Sequence, residues 1–167
     1  MTQSGKNEDV STKNPPSLEL RRRQAEIVLI LSRILRENEQ KVSANLADEG
    51  LADITSAQAN LLMVLFQARQ PLTASQIAEI LGVSEATIAR FVKALDSSGW
   101  VERHRSERDA RMWHLKPTAK AYEALPKFIR VSNQMLDKTF AGFDADDFDT
   151  LWSIISRVRA NLHTPEQ

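Results

Sequence analysis

Apolar residues recur at helical spacing over most of this chain and change to a strand-like alternation in one place only. From Leu18 a stripe of Leu20, Ile27, Leu31, Ile34 and Leu35, widened by Val28 and Ile30, predicts a helix running to about residue 45, with Ser17 as its N-cap. About 28 residues would span roughly 40 Å, and so broad an apolar face needs more than one packing partner. The alternative is two helices broken near residues 41–45. Thr55 and Gln58 have the spacing of a capping box, and Ala59, Leu61, Leu62, Val64, Leu65 and Phe66 follow. A helix so nearly all apolar belongs at the centre of a fold, and Pro71 ends it.

The next two helices are short. Thr73 and Gln76 repeat the capping pattern ahead of Ile77, Ile80 and Leu81, and Ala78 is small enough to let a crossing helix approach. Gly82 supplies the turn. Ser84 caps a second helix whose Ile88, Phe91, Val92 and Leu95 share one face. Glu85, Ala86, Ala89, Arg90 and Lys93 fall on the other, with Thr87 at the flank. A second helix that buries one side and offers small, hydroxyl and basic groups on the other is what a helix-turn-helix uses to read a major groove. Ser97-Ser98-Gly99 ends it. Trp100-Val101 then begins an extended segment, a charged turn follows from Arg103 to Arg111, and Met112-Trp113-His114-Leu115 resumes the extended pattern. That is a wing: a two-stranded hairpin with arginines towards its tip, suited to a narrow minor groove.

The last third returns to helices. Thr118 caps one that carries Ala121, Leu125, Phe128, Ile129, Met135, Leu136 and Phe140, with Pro126 predicting a kink or a broken start. Gly142 ends it. Asp144 to Asp147 load negative charge at the start of a final helix, striped by Phe148, Leu151, Trp152, Ile154, Ile155 and Val158. These two helices and the first carry more apolar surface than a single winged lobe can cover, which predicts a homodimer.

The predicted fold is mainly α with a small antiparallel β-wing, a winged helix-turn-helix lobe joined to a helical dimerisation region. Its parts are a mobile N-terminal tail (1–17), a dimerisation helix (18–48), the DNA-binding lobe (54–118) and C-terminal dimerisation helices (119–163). Composition adjusts this picture only slightly. The 167 residues are 42% apolar and suffice for one core or two small lobes. Lys and Arg total 22, as do Asp and Glu, so no bulk positive field draws the chain to nucleic acid. Locally the balance differs: residues 103–116 hold five basic side chains against two acids. There is no cysteine, which excludes disulfides and thiol chemistry. With no apolar run long enough for a signal peptide or a membrane span, the expected location is the cytoplasm.

Catalytic chemistry finds no support. His104, His114 and His163 lack the spacing of metal ligands, and no glycine-rich phosphate loop or nucleophile elbow is present. No enzyme activity, cofactor or metal is expected. The residues assigned to DNA are Ser84, Glu85, Thr87, Ala89, Arg90 and Lys93 on the recognition helix, and Arg105, Arg108 and Arg111 on the wing. Asp109 would brace a wing arginine or Arg90 through a bidentate pair. Thr73, Ser75 and Gln76 would meet phosphate at a helix start, and Ala89 a thymine methyl.

These motifs resemble the MarR (multiple antibiotic resistance regulator) family, including its SlyA-like branch. The likeness rests on Ile54-Thr55 with Gln58, on Leu72-Thr73 with Ile77-Ala78, and on Val83, Ser84, Thr87, Ile88, Arg90, Val92 and Leu95 in the recognition helix. Asp109 and Arg111 match the wing signature, and Pro117, Thr118 and Ala121 fall on the exit from the wing. Two positions depart: Trp100 stands where the pattern has a leucine, and Pro117 replaces another, which is expected to shorten the second wing strand. The resemblance implies a homodimer joined by its first and last helices, with a winged lobe at each lower corner reading a pseudo-palindromic double-stranded operator. It also implies tuning by a small aromatic or phenolic ligand. A junction for such a ligand would by position include Leu20, Ile27, Leu62, Phe66, Trp100 and Trp113, each equally suited to the core. A transcriptional regulator, most simply a repressor, is the leading expectation. A scaffolding or protein-interaction dimer with weak DNA binding is the alternative.

Overall fold

A computed structural model describes residues 17–105 and 112–163. Six helices and one hairpin follow in the order α1 (Leu18–Asp48), α2 (Ser56–Gln67), α3 (Ala74–Leu81), α4 (Glu85–Ser97), β1 (Val101–Arg105), β2 (Trp113–Pro117), α5 (Ala119–Thr139) and α6 (Ala145–His163). The chain divides into two compact units, residues 1–37 and 38–167.

The described part of the first unit is the beginning of α1. Its cap forms as the sequence predicts, with the Leu20 amide donating to Ser17 Oγ at 3.2 Å. The helix continues without interruption through residues 41–45. Its apolar stripe is open, with Ile27 57% and Leu31 50% exposed, and Arg21, Arg22 and Arg23 lie on the surface.

In the second unit α2 is the central element. Leu61 and Leu62 are wholly buried, and Ala59 and Leu65 nearly so. Its start is fixed by a reciprocal capping box: the Gln58 amide donates to Thr55 Oγ1 and the Thr55 amide to Gln58 Oε1. Around it pack Leu46 from the end of α1, Ile77 and Ala78 from α3, Ile88, Val92 and Leu95 from α4, Trp100, Val101 and Leu115 from the hairpin, and Ala121, Ala124, Phe128 and Val131 from α5.

Strands β1 and β2 pair antiparallel, with Val101 opposite Pro117 and Arg105 opposite Trp113. Pro117 does not shorten β2, which matches β1 residue for residue. The Thr118 amide donates to Trp100 O at 3.1 Å, so their neighbours Val101 and Pro117 form a pair whose amides face away from each other. A proline there gives up no ladder bond. On the same edge the Leu115 amide donates outward to Leu72 O at 2.8 Å, joining the hairpin to the segment before α3.

Thr118 ties the wing to α5 by accepting from the Ala121 amide and donating to Gly99 O at 2.7 Å. α5 runs as one helix across Pro126, which forgoes a single backbone bond while Ala124, Phe128 and Val131 stay packed on either side. Its middle is stapled to the residue that follows α1: Arg130 donates to both Glu49 carboxylate oxygens, at 2.6 and 3.1 Å, and Lys127 Nζ donates to Glu49 O. Phe140, Phe143 and Phe148 cluster where the chain turns from α5 into α6, with ring centroids 5.2–5.7 Å apart. Asp144 and Asp147 cap α6 reciprocally. Beyond that turn α6 leaves its apolar stripe open, with Trp152 74% and Leu162 80% exposed.

Candidate nucleic-acid interface

α3 and α4 owe their mutual angle to Gly82. It takes the left-handed conformation at φ 65°, and its amide returns to the carbonyls of Ala78 and Glu79. A side chain at that backbone conformation would be strained whatever the space around it. The Val83 amide also bonds Ala78 O, and Ser84 then caps α4 by accepting from the Thr87 amide at 3.2 Å.

Packing sets which side of α4 is free. With Ile88, Val92 and Leu95 buried and Phe91 half-buried, the side chains of Glu85, Ala86, Ala89, Arg90 and Lys93 are exposed. Thr87 is half-buried and its hydroxyl lies 2.9 Å from that of Ser84, so these two hydroxyls are engaged with each other. At the start of α3, Thr73 and Gln76 are likewise joined in a capping box. Ser75 Oγ instead donates to Glu85 Oε1 at 2.7 Å, linking the two helices by a contact ten residues apart in sequence. Sequence reading placed both residues at the interface and missed their bond, because periodicity within each helix does not say how two helices face each other.

The hairpin is held to α4. Arg103 Nε lies 3.3 Å from Asp96 Oδ2 at the end of that helix, and both side chains are about half exposed. Arg105 lies over the ring of Trp113, its partner across the ladder, at 5.3 Å from the centroid. Arg90 lies over its neighbour Phe91 at 5.8 Å. On the other face of the hairpin His104 and His114 are register partners, and His104 Nε2 is 2.7 Å from Glu102 Oε1. Among the described residues no group of three His, Asp or Glu side chains could hold a metal ion. Arg108, Asp109 and Arg111 lie outside the described residues, and with them the bracing role assigned to Asp109.

Four of the side chains assigned to a ligand junction, Leu62, Phe66, Trp100 and Trp113, are dispersed within the second unit. Leu62 is wholly buried, and Phe66 stacks on Tyr122 and Phe128. Trp100 is buried against Phe128, with its indole nitrogen donating to Asp53 Oδ2 at 2.9 Å and Lys120 Nζ 4.1 Å from its ring centroid. It borders a shallow depression with Asp53, Lys120 and Lys127 that Leu62, Phe66 and Trp113 do not reach. Trp113 is out on the wing, 48% exposed. Leu20 and Ile27 belong to the first unit and are exposed. A separate cleft of about 370 Å³ runs between the end of α1 and α5, walled by Asn38, Lys41, Asn45, Met135, Lys138 and Thr139.

The family model described as MarR family matches residues 54–112, from the cap of α2 into the wing. Over that stretch the chain is similar to the MarR family. Its winged helix-turn-helix supports DNA-binding transcriptional regulation. Among curated relatives it is 26% identical over 110 residues to an uncharacterised HTH-type transcriptional regulator, YybA, of Bacillus subtilis (strain 168). That alignment covers 66% of this chain and 73% of the relative. It is also 26% identical over 107 residues to the transcriptional repressor MprA of Escherichia coli (strain K12), covering 64% of this chain and 61% of that protein. The fold is similar to that of MepR from S. aureus, solved in complex with DNA, with a TM-score of 0.73 at 18% identity, covering 80% of this chain and 96% of MepR. As in other MarR-type folds, the chain is mostly helical with a two-stranded antiparallel wing. No helix among the described residues is long and apolar enough to cross a membrane.

Proposed function

We propose that this protein is a homodimeric, sequence-specific MarR-family repressor that sets α4 of each subunit into successive major grooves of a pseudo-palindromic operator. The observation that carries the reading is the free face of α4, where Arg90 and Lys93 stand beside an arginine-bearing hairpin clamped to the same helix by Arg103 and Asp96. Ala89 on that face suits a thymine methyl, and Arg90 suits either a base edge or a phosphate. Ser84 and Thr87, already bonded to each other, would contribute at the helix start through what remains of their hydrogen-bonding capacity. At the start of α3 the side chains of Thr73, Ser75 and Gln76 are engaged within the protein, so phosphate would be met by backbone amides. Arg105, Arg108 and Arg111 would serve the minor groove. The relative MprA, a transcriptional repressor, supports the reading of a DNA-binding repressor.

The exposed apolar stripes of α1 and α6 would pack against a second copy. Residues 18–48 and 119–163 would then be the dimerisation parts, and 54–118 the reading lobe. Release of DNA would be a population shift, in which a small aromatic or phenolic ligand favours a spacing of the two α4 helices that does not match one helical turn. A cytoplasmic location suits that role.

Net neutrality motivates the rival reading, a scaffolding dimer with weak DNA affinity. Gel shift on the region upstream of the protein's own gene, with Arg111→Ala beside wild type, separates the two. The repressor reading expects a wild-type complex that weakens with salt, and a weaker complex with a shallower salt dependence for the variant. No wild-type complex at low salt, or identical behaviour of the two proteins, would favour the scaffold.

A further inference from the structure

We propose that Glu85, held by Ser75, is a specificity-determining carboxylate that reads the amino group of a cytosine in each half-site; this rests on the DNA-binding reading above. A carboxylate on a DNA-facing helix raises the cost of approaching phosphate, so its presence there needs a reason. α4 contains two acids. Asp96 is paired with Arg103 at 3.3 Å. Glu85 has no ion pair among the described residues, and its hydrogen-bond partner is the neutral hydroxyl of Ser75 at 2.7 Å. Its charge is therefore positioned by the protein without being neutralised by it.

The geometry points to a base rather than the backbone. Glu85 is the first residue of α4, exposed on the flank that faces α3, and the first residues of the second helix approach base edges in a helix-turn-helix. Ser75 occupies Oε1, which fixes the side chain and leaves Oε2 with free lone pairs. An ionised carboxylate only accepts. In the major groove cytosine presents a lone amino donor at N4, whereas guanine presents O6 and N7 acceptors and thymine presents O4. Adenine sets its N6 donor beside the N7 acceptor, which a carboxylate repels. A free carboxylate oxygen presented to the groove would thus match cytosine and disfavour the other three. Glutamate at a helix start also favours the helix dipole. That role would be met without a donor from α3, and it predicts no base preference.

Selection of bound sequences from a random duplex pool tests the assignment, using full-length wild type, Glu85→Gln and Ser75→Ala. Glutamine keeps the shape of the side chain and an oxygen for Ser75, so the fold is retained. For wild type, cytosine should be favoured at one position in each half-site by between about fivefold and a hundredfold over the other bases. Glu85→Gln should lose cytosine at that position and favour adenine, whose N6 and N7 suit an amide, while every other position keeps its letter. Ser75→Ala should keep cytosine with a preference weakened severalfold, because the carboxylate is no longer held. If wild type selects a palindrome and Glu85→Gln selects the same letters throughout, Glu85 does not read a base and the inference fails while the DNA-binding reading stands. Undiminished cytosine preference in Ser75→Ala would remove Ser75 from the assignment. If wild type enriches nothing, the reading beneath fails and the inference with it.

Discussion

At Trp100 the chain departs from the family pattern, and the structure shows how the larger ring is accommodated. The indole is buried edge-on to Phe128, its nitrogen reaches Asp53, and Lys120 covers its face while donating to Ser98 O. Removing the ring opens a cavity and leaves Asp53 and Lys120 without their shared partner. Trp100→Ala should therefore cost about 3–5 kcal/mol of stability, read as a lowered urea midpoint. Glu49 gives a second residue-scale expectation. The hydrogen bond from Arg130 holds its carboxyl below the ordinary glutamate range, outweighing desolvation, with the charges of Arg130 and Lys127 adding to the effect. A depressed folded-state pKa contributes stability that is present above the unfolded value and lost as pH falls through the folded one. The difference in urea midpoint between wild type and Glu49→Gln should thus be greatest near neutral pH and close in acid. A difference that grows on acidification would contradict the assignment.

At the scale of elements, the caps carry much of the local definition. Thr55→Ala and Thr73→Ala each remove one side of a reciprocal capping box and should each cost about 1 kcal/mol, measurable by thermal or urea unfolding. Both boxes were legible in the sequence because their partners are three residues apart and need nothing from the tertiary fold. The buried face of α4, the glycine turn before it and the central place of α2 were legible for a similar reason: each follows from periodicity within one segment. Pro117 was misread because its effect depends on ladder parity, which the residue type does not reveal. The bonds that organise the interface, Ser75 to Glu85 and Arg103 to Asp96, lie between elements, so no spacing within a helix could announce them. Trp113 shows the same limit. Its place in the sequence suited a ligand junction and the core equally, and the register sets it beneath Arg105 on the exposed wing.

For the whole molecule, the open apolar stripes of α1 and α6 are the largest feature that a single chain leaves unexplained. Ile27, Leu31, Ile34 and Leu35 on the first helix and Trp152, Ile155 and Val158 on the last are each close to half exposed or more. If they form the joint between two copies, Leu31→Glu or Trp152→Glu should shift the protein from dimer towards monomer in sedimentation velocity and leave the winged lobe folded. Dimerisation in turn decides whether two α4 helices can bind one operator together, since the gain from a second site depends on both being reachable at once. The central claim is that α4 is the element that reads DNA. The most direct test is the affinity of wild type and Arg90→Ala for a selected operator duplex, measured by fluorescence anisotropy across a series of salt concentrations. The expected result is a steep loss of wild-type affinity with salt. The variant should bind more weakly, either with a slope shallower by about one if Arg90 meets phosphate, or with relaxed preference at one base pair if it meets a base. Equal affinity, slope and preference for the two proteins would contradict the claim.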